Sequence, residues 1–314
     1  MKLTIGLPTY NGAKQIAETL EAVVNQISNE ISPYVDVLIS DNASTDNTKS
    51  IIESIQKKSN INIEYVRNSE NIGYDKNIDQ IFKYSKSDYV WTLADDDVPV
   101  TGTIEKILKL IIQHQPDIII LNFDCYDQKL ENKMHSMQLP PRITCSTPSS
   151  FFKNSHGRYG QVSSLIINRK KWMLANVEDA FGSNYVHIFA VYKIMLSGTA
   201  EIIGEPLIKV RLGSENFGVD GDSLIRVATS GIKLIHLMNS MGHDERIIKE
   251  LLEQSKSYVL NTVKKSKVIG IKEKTNAAKN LIQAYNSPII WLKYIPIIYM
   301  PNFIYKIFKN RGKK

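Results

Sequence analysis

The sequence is poor in cysteine, since only Cys125 and Cys145 occur among its 314 residues. Two cysteines cannot form a multi-disulfide framework, and neither stands in a spacing typical of a metal site. A small secreted domain held together by disulfides is therefore excluded. The pattern fits a protein of a reducing cytoplasm.

A secretory leader, internal repeats and low-complexity tracts are lacking as well. The first residues, MKLTIGLPTY, form a short strand-like run that Pro8 interrupts, without the long apolar stretch of a signal peptide. We therefore expect no secretory signal. A chain with 43% hydrophobic content can bury a substantial core, as one large domain or as one domain with an appendage.

The net charge of +7 is distributed unevenly along the chain. Residues 251–314 contain 13 Lys and Arg against 2 Asp and Glu, whereas residues 1–250 contain 26 basic and 30 acidic side chains. A basic tail on a mildly acidic body indicates an anionic partner, either nucleic acid or a membrane surface. Because the basic residues form no recognisable nucleic-acid-binding motif, we expect no nucleic-acid partner.

In the first 125 residues, strand patterns alternate with helix patterns. The predicted strands are KLTIGL, VDVLIS, INIEYV, DYVWTL and DIIILNF, and the predicted helices cover 14–26, 48–59, 74–85 and 101–114. Asp46 and Asn47 are candidate N-caps of the second helix. This alternation predicts an α/β fold, with a mostly parallel sheet covered by helices on both faces. Such sheets bind ligands beyond the carboxyl ends of their strands.

The later part of the chain is less regular. We predict a strand in QVSSLIIN (161–168), a helix at 184–196, a strand pair in EIIGEPLIKVRL, a glycine-containing loop in GSENFGVDGDS and helix from 224 to 284. Residues 1–222 are predicted to form the domain that carries the ligand site. Residues 223–314 are predicted to form a C-terminal helical region.

Three consecutive aspartates, Asp95, Asp96 and Asp97, end the fourth predicted strand. Asp95 and Asp97 can both present oxygens to Mg²⁺ or Mn²⁺, which often bind through one or two carboxylates and substrate phosphates. A solvated turn with a helix-capping aspartate is one alternative. A phosphatase site with Asp95 as nucleophile is another, although that motif usually follows the first strand and has Thr or Val where Pro99 stands.

Polar loops also follow the first three predicted strands: PTYNG (8–12), SDNASTDN (40–47) and RNSENIGYDKN (67–77). Asp41 can accept a hydrogen bond from the edge of a pyrimidine, and Thr9 and Tyr10 can frame a base. Each of these loops is by itself also consistent with an ordinary turn. Together they place a polar rim along the edge where the aspartates lie.

Four motifs in this order resemble the nucleotide-binding half of family 2 glycosyltransferases, which have the Rossmann-like GT-A fold. They are PTYNGAKQIAETLEAVVNQ, SDNASTDNT, NIGYDKN and WTLADDD. The resemblance covers residues 1–125 and, more loosely, 160–212. Within the family, the chain is similar to bacterial surface-polysaccharide enzymes, abequosyltransferases among them.

The resemblance implies a role for each matching residue. The implied ligands are Pro8, Thr9, Tyr10 and Asp41 for the nucleotide base, Lys76 for the base or phosphates, Asp96 for the ribose, Asp97 with Asp95 for Mn²⁺ or Mg²⁺, and Arg211 for the pyrophosphate. The metal would neutralise the charge that grows on the leaving nucleoside diphosphate. For Arg211, a surface position is the alternative.

Family members of this type invert the anomeric centre by direct displacement, which requires a base for the acceptor hydroxyl. The family usually supplies an aspartate about eleven residues before a helix-ending glycine. Counting back from Gly198 reaches His187 instead. A neutral imidazole can accept the proton, and a structural histidine is the alternative. Asp179, paired with Glu178, is the competing candidate.

The C-terminal segment SPIIWLKYIPIIYMPNFIYKIFKNRGKK is apolar, aromatic and basic. Its prolines and Lys293 argue against a helix that spans a membrane. The composition suits the surface of an anionic leaflet, with the apolar side chains at the headgroup boundary. The basic side chains that would meet the lipid are Lys306, Lys309, Arg311, Lys313 and Lys314. A segment packed on the protein is the alternative.

The sequence therefore predicts a metal-dependent, inverting glycosyltransferase that is attached peripherally to the inner face of the cell membrane. Its donor would be a nucleotide sugar, and its acceptor a glycan, such as a lipid-linked O-antigen or capsule precursor. One alternative is a sugar nucleotidyltransferase, although PTYNGAK is a poor match to the glycine-rich, basic loop of such enzymes. The other is a membrane-associated protein that binds nucleotide sugars with little turnover.

Overall fold

The computed structural model of the chain describes residues 1–213, 220–285, 288–302 and 304–305. The chain forms two compact units, Met1–Ser214 and Glu215–Lys314. Most of the predicted glycine-containing loop lies outside the described residues, and so do all five basic residues of the tail, Lys306, Lys309, Arg311, Lys313 and Lys314.

The first unit contains one large sheet. Its strands are β1 (Leu3–Thr9), β2 (Val35–Asp41), β3 (Ile63–Arg67), β4 (Tyr89–Thr92), β5 (Val98–Pro99), β6 (Ile118–Tyr126), β7 (Lys133–His135), β8 (Arg142–Cys145), β9 (Leu165–Asn168) and β10 (Ala200–Arg211). Its α-helices are α1 (Ile16–Val24), α2 (Thr48–Lys58), α3 (Tyr74–Tyr84), α4 (Thr103–His114), α5 (Pro148–Ser155), α6 (Arg169–Ala175) and α7 (Val186–Ile194).

The main strand order is β3-β2-β1-β4-β9-β6-β10-β5, with β7 added to β6 and β8 to β10. Neighbours β3, β2, β1 and β4 are parallel, and so are β6 and β10. Strand β9 is antiparallel to both β4 and β6, so these two strands share one direction. The carboxyl ends of six strands of the main path therefore meet at one edge, which confirms the predicted mostly parallel sheet.

Helices cover both faces of this sheet, as predicted. One face of β1 presents Leu3, Ile5 and Leu7 to a buried cluster that includes residues of α1, α2 and α4. On the other face, Gly6 lies against α3, where a Cβ would overlap the side chain of Ile81. The alternation of side chains along a strand thus buries β1 on both sides.

Two local predictions were wrong in detail. EIIGEPLIKVRL does not form a strand pair, because β10 is one strand that pairs with β6 along its length. Register shifts on either side of Pro206 absorb the irregularity that looked like a turn. In QVSSLIIN, a 3₁₀ turn at Val162–Ser164 precedes the strand, which begins at Leu165.

Helix α2 begins close to the predicted position. The side chain of Asn47 makes no capping hydrogen bond, whereas Asp46 accepts one from the Thr48 backbone N–H at 3.0 Å. Asp46 also accepts from the Ala13 backbone N–H at 3.1 Å. Burial by itself raises the pKa of Asp46, but the hydrogen bonds from the Thr48 hydroxyl and from the Thr48 and Ala13 backbone N–H groups together outweigh it and hold the pKa below its usual range. One aspartate thus caps α2 and ties it to the loop after β1.

The second unit is helical. Its helices are α8 (Gly221–Met241), α9 (Glu245–Ile269), α10 (Lys274–Tyr285), α11 (Pro288–Lys293) and α12 (Ile295–Tyr299). Asp220 and Asp244 cap α8 and α9 by accepting from the backbone N–H groups of Ser223 and Arg246, both at 2.8 Å. Among the described residues, no helix is long and apolar enough to cross a membrane.

Candidate functional site

Asp97 lies at the centre of a hydrogen-bond network beyond the end of β4. Its carboxylate is 1% exposed. Oδ2 accepts from Ser163 Oγ at 2.5 Å and from Gln161 Nε2 at 2.9 Å, while Oδ1 accepts from the Arg211 backbone N–H at 3.0 Å. Segment 161–163 and the end of β10 therefore hold the last aspartate of the triplet.

Asp95 faces the loop that follows β1. Thr9 Oγ1 donates to its carboxylate, and Thr19 Oγ1 in α1 donates to its backbone carbonyl at 3.0 Å. A Cβ at Gly12 would overlap both the Asp95 carboxylate and Thr9 Oγ1, so only glycine lets the loop approach this closely. The loop after β1 and the aspartate triplet are therefore joined by hydrogen bonds and close packing.

The electrostatics of the triplet favour a cation. Burial, together with the neighbouring carboxylates of the triplet, raises the pKa of Asp95 and of Asp97 to about 7, against the hydrogen bonds that the two groups accept. A positive charge beside the triplet would offset both the burial and the repulsion. These hard carboxylate oxygens fit the ligands that Mg²⁺ and Mn²⁺ prefer.

Arg211, predicted to contact pyrophosphate, lies directly against the triplet. Its side chain is 4% exposed. Nε donates to the Asp96 carbonyl at 3.0 Å, Nη2 donates to Glu18 at 2.6 Å, and Nη1 donates to the Gln128 carbonyl. The guanidinium fixes the triplet backbone, so Arg211 is not the surface arginine that was the alternative.

Asp41 joins the ends of β2 and β3. It is fully buried. Oδ1 accepts from the Ser44 backbone N–H at 2.8 Å, and Oδ2 accepts from Tyr65 Oη at 2.5 Å and lies 3.5 Å from Arg67 Nε. Burial and this contact with Asp41 raise the pKa of the Tyr65 phenol, which therefore stays protonated as the donor.

The loops after β1 and β2 are bonded to each other. The Asn42 N–H donates to the Thr9 carbonyl at 2.9 Å, and the Thr45 N–H donates to Asn11 Oδ1 at 2.8 Å. Pro8 and Thr9 are buried, whereas Tyr10 is 42% exposed. The structure thus brings Pro8, Thr9 and Asp41 together at the ends of two paired strands, with the exposed Tyr10 next in the chain.

The first turn of α3 lies beside these loops. Asn77 accepts from Ser40 Oγ at 2.8 Å and from Asn68 Nδ2 at 3.1 Å, and it donates to the Ser40 carbonyl at 3.0 Å. Lys76 is exposed, with Nζ 6.0 Å from the centre of the Phe181 ring. Lys76 thus lies beside Phe181, in the segment that precedes α7, on the same helical turn whose Asn77 contacts the end of β2.

His187, one of the two candidate bases, lies in α7 and is 3% exposed. Nε2 is 3.3 Å from the Gly160 carbonyl, and Nδ1 has no hydrogen-bond partner within the described part of the chain. This contact favours the tautomer with the proton on Nε2, which leaves the lone pair on Nδ1. Burial lowers the pKa of His187 to about 4, so the imidazole is neutral near pH 7.

The competing acidic pair is in a different environment. Glu178 and Asp179 lie in a 3₁₀ turn, Val177–Ala180, and both are exposed. Neither makes a hydrogen bond or ion pair in the described residues that would fix its carboxylate. The structure therefore gives one buried and one exposed candidate for the base.

Several residues near the site carried no signal in the sequence. Tyr74, in the first turn of α3, has its ring centre 6.4 Å from that of His187, and burial, Asp75 and the carboxylates of the triplet together raise the pKa of its phenol. Gln161 and Ser163 reach Asp97 from about 65 residues downstream. A long-range contact of this kind has no local pattern.

The described residues contain no preformed cage of three His, Cys, Asp or Glu side chains for a metal ion. Divalent cations that bind with substrate phosphates need only one or two carboxylates from the protein. The triplet therefore fits that type of site.

The comparisons with known proteins agree on one family. Residues 4–173 match the family model described as glycosyl transferase family 2. An abequosyltransferase of Salmonella typhimurium is 25% identical over 271 residues, which cover 81% of this chain and 79% of the relative. An uncharacterized glycosyltransferase of Mycoplasma genitalium is 32% identical over 125 residues, which cover 39% of this chain and 41% of that protein.

Solved structures share the fold. TarS of Staphylococcus aureus, in complex with UDP-GlcNAc, superposes with a TM-score of 0.68 at 19% identity, covering 90% of this chain and 81% of that one. A mannosyltransferase of Pyrobaculum calidifontis, in complex with GDP-Man and Mn²⁺, gives a TM-score of 0.56 at 15% identity, with 100% and 88% covered. With more than half of its residues matched by the family model, the chain belongs to the family 2 glycosyltransferases and has their GT-A fold.

Proposed function

We propose that this glycosyltransferase inverts the configuration of a sugar that it moves from a nucleotide-sugar donor to a bacterial surface glycan, with the help of Mn²⁺ or Mg²⁺. One observation carries the proposal: the loops after β1, β2 and β4 converge on the aspartate triplet. Thr9 bonds both to Asp95 and to the strand-2 loop through Asn42. A nucleoside diphosphate spans such an edge, with its base at one end and its phosphates at the other.

The base end of the donor would lie against Pro8, Thr9 and the exposed ring of Tyr10. Asp41 would contribute through the loop that it fixes, since both of its oxygens are engaged with Ser44 and Tyr65. This rigid loop suits the recognition of a flat base by backbone groups. Solved relatives with UDP-GlcNAc and with GDP-Man support a nucleotide-sugar donor.

The phosphate end would lie at the triplet. Asp95 and Asp97 would hold the cation, Asp96 would contact the ribose, and Lys76 and Arg211 would add positive charge near the phosphates. When bound, the cation supplies Lewis-acid stabilisation of the diphosphate. The protein's own contribution is rigidity, because the network around Asp97 fixes the carboxylates before the donor arrives.

The acceptor hydroxyl would attack the anomeric carbon directly and lose its proton to His187 Nδ1 or to Asp179. Because His187 is neutral near pH 7, its Nδ1 has a lone pair that can accept the proton. Its weak basicity suits a proton that leaves late, when the new glycosidic bond is largely formed. Asp179 offers an exposed carboxylate but lacks fixed contacts among the described residues, so the two residues are tested as a pair.

We further propose that the protein acts while attached to a membrane surface. Helix α11 leaves Trp291 50% and Leu292 78% exposed, and α12 leaves Tyr299 48% exposed. Exposed apolar side chains followed by basic residues suit an anionic leaflet on the cytoplasmic side. Attachment there would give a peripheral enzyme access to a sugar on a lipid carrier. A relative from Campylobacter jejuni, 25% identical over 108 residues, is named for an undecaprenol-linked acceptor.

A two-stage experiment tests the proposal. First, UDP, CDP, GDP and dTDP are screened by thermal shift with and without Mn²⁺. A nucleotide at 100 times its Kd adds about 2.7 kcal/mol to the free energy of unfolding. Second, the nucleotide sugars of the best base are incubated with the protein. Release of the nucleoside diphosphate, with inversion at the transferred carbon, supports the proposal.

Other outcomes assign other functions. Release of inorganic pyrophosphate from a nucleoside triphosphate and a sugar phosphate would identify a nucleotidyltransferase. Tight binding with neither transfer nor slow hydrolysis would identify a binding protein. Absence of any Mn²⁺-dependent nucleotide binding would contradict the proposed site itself.

A further inference from the structure

Asp75, in the first turn of α3, binds a segment more than a hundred residues away. Its carboxylate is 3% exposed. Oδ2 accepts from the Asn184 backbone N–H at 2.8 Å, and Oδ1 accepts from the Val186 backbone N–H at 3.0 Å. Val186 is the first residue of α7, and His187 follows it. The carboxylate of one helix thus holds the start of another.

The start of α7 has no cap of its own. The first N–H groups of an α-helix lack partners within the helix and need an external acceptor. The local N-cap residue, Tyr185, makes no side-chain capping bond. Asn184 also has a left-handed backbone, with φ +64°. Asp75 supplies the missing acceptor and stabilises this conformation, and its negative charge suits the positive end of the helix dipole.

The same turn of α3 also contacts the ends of β2 and β3, where the donor is proposed to bind. Asn77, two residues after Asp75, bonds to Ser40 at the end of β2 and to Asn68 after β3. Lys76 lies between them, near Phe181. One helical turn therefore joins the proposed donor side to the segment that carries the proposed base.

We propose that Asp75 is a positioning residue, which sets segment 182–187 at the distance from the donor loops that transfer requires. This inference rests on the proposed function, because it concerns how α3 couples the proposed donor loops to the proposed base in α7. Loss of the carboxylate frees the start of α7 but leaves the loops of Thr9 and Asp41 in place. Turnover falls, whereas binding of the nucleotide is retained.

The test compares Asp75→Asn with Asp79→Asn. Asp79 lies one turn further along α3 and is 4% exposed. It accepts from Trp172 Nε1 of α6 at 2.9 Å and pairs with Lys83 Nζ at 2.7 Å, so these polar contacts involve neither the loops after β1 and β2 nor α7. Both changes remove a buried charge from one helix. In Asp75→Asn, an N–H group of the new amide faces a backbone N–H that it cannot satisfy.

Three quantities are measured for both variants: kcat, the Kd for the nucleotide and the hydrogen-exchange rate of the amides in 182–188. We expect kcat of Asp75→Asn to fall by about tenfold or more, the size of effect that small misplacements produce, while the Kd for the nucleotide changes less than twofold. Hydrogen exchange of the amides in 182–188 becomes faster. Asp79→Asn keeps both kcat and this exchange rate close to those of the wild type. A kcat in Asp75→Asn equal to that of Asp79→Asn overturns the proposal.

Failure of the proposed function is distinguishable. If the wild type transfers no sugar, the proposed function fails, but hydrogen exchange can still be measured. An exchange rate in 182–188 that is the same in Asp75→Asn as in the wild type then shows that Asp75 does not stabilise the start of α7. Should Asp75→Asn fail to fold, Asp75→Glu replaces it, because it keeps an acceptor-only carboxylate at a longer reach. Asp75→Glu is expected to fold with reduced kcat and unchanged nucleotide Kd, and full kcat in this variant also overturns the proposal.

Discussion

The buried imidazole of His187 makes a quantitative prediction about the effect of pH on stability. Its pKa is lowered to about 4 in the folded protein by burial, from 6.5 when the side chain is exposed. The unfolded chain therefore binds a proton at a pH where the folded protein does not. The stability that this difference represents is fully present above pH 6.5 and is lost as the pH falls towards 4.

The size of the loss follows from the two pKa values. Between pH 7.5 and pH 5, protonation of the unfolded state lowers the free energy of unfolding by about 2 kcal/mol. His187→Gln removes the titrating group, and its amide can still donate to the Gly160 carbonyl. The difference in stability between wild type and variant should therefore change by about 2 kcal/mol across this range.

Urea unfolding at pH 7.5, 6.5, 5.5 and 5.0 measures this difference. Trp91 and Trp172 are buried in the first unit and report on its unfolding by fluorescence. Trp291 of the second unit is replaced by Phe in both proteins so that it adds no signal. All other titrating groups are shared and cancel. A difference that stays constant within about 0.5 kcal/mol, less than a third of the expected change, refutes a buried, neutral His187.

Further variants test activity and attachment. Asp97→Asn should abolish both transfer and Mn²⁺-dependent nucleotide binding while the circular dichroism spectrum is retained, because it removes a proposed metal ligand. His187→Ala should lower kcat by about a hundredfold or more, as expected for the loss of a general base, with the donor Kd nearly unchanged. Asp179→Asn should be nearly silent in the same assay. Trp291→Gln combined with Leu292→Gln should weaken binding to anionic vesicles by about tenfold, since two exposed apolar side chains can then no longer enter the headgroup boundary.

Each of these has a matched control. Full activity of the wild type in EDTA contradicts the metal site without any mutation. If kcat falls in Asp179→Asn and stays close to that of the wild type in His187→Ala, the base is Asp179. Tyr258→Gln, at a residue of α9 that is 56% exposed, controls for the loss of any exposed apolar side chain. Equal vesicle binding by all three proteins would contradict the role of α11.

The sequence predicted those parts of the fold that leave a local pattern. The five strands predicted in the first 125 residues are β-branched runs between turn residues, and all of them form. Strand β10 was predicted as a pair because Gly204 and Pro206 usually interrupt a strand. The sheet tolerates them here through register shifts against β6, which depend on the neighbouring strand rather than on the sequence of β10 itself.

Residues that contact the site from a distance were not predictable in the same way. Asp75 looked like an ordinary acidic residue in the first turn of a helix, a position that favours negative charge in any helix. That its carboxylate serves α7 instead depends on how the two helices meet. Gln161 and Ser163 likewise lie in QVSSLIIN, which the sequence predicts as a strand, and no local pattern there indicates a contact with Asp97. Tertiary packing decides each of these roles.

The way Asp97 is held has a consequence for the order of folding. Its hydrogen-bond donors come from residues 161, 163 and 211, so no segment that ends before β10 can complete the network. Contacts of such long sequence separation form late, because the intervening chain must first be ordered. During synthesis, strands β1–β4 can pair while the aspartates beyond β4 remain unsupported. Nucleotide binding should therefore appear only after β10 has added to the sheet, and it would report the last step of domain assembly.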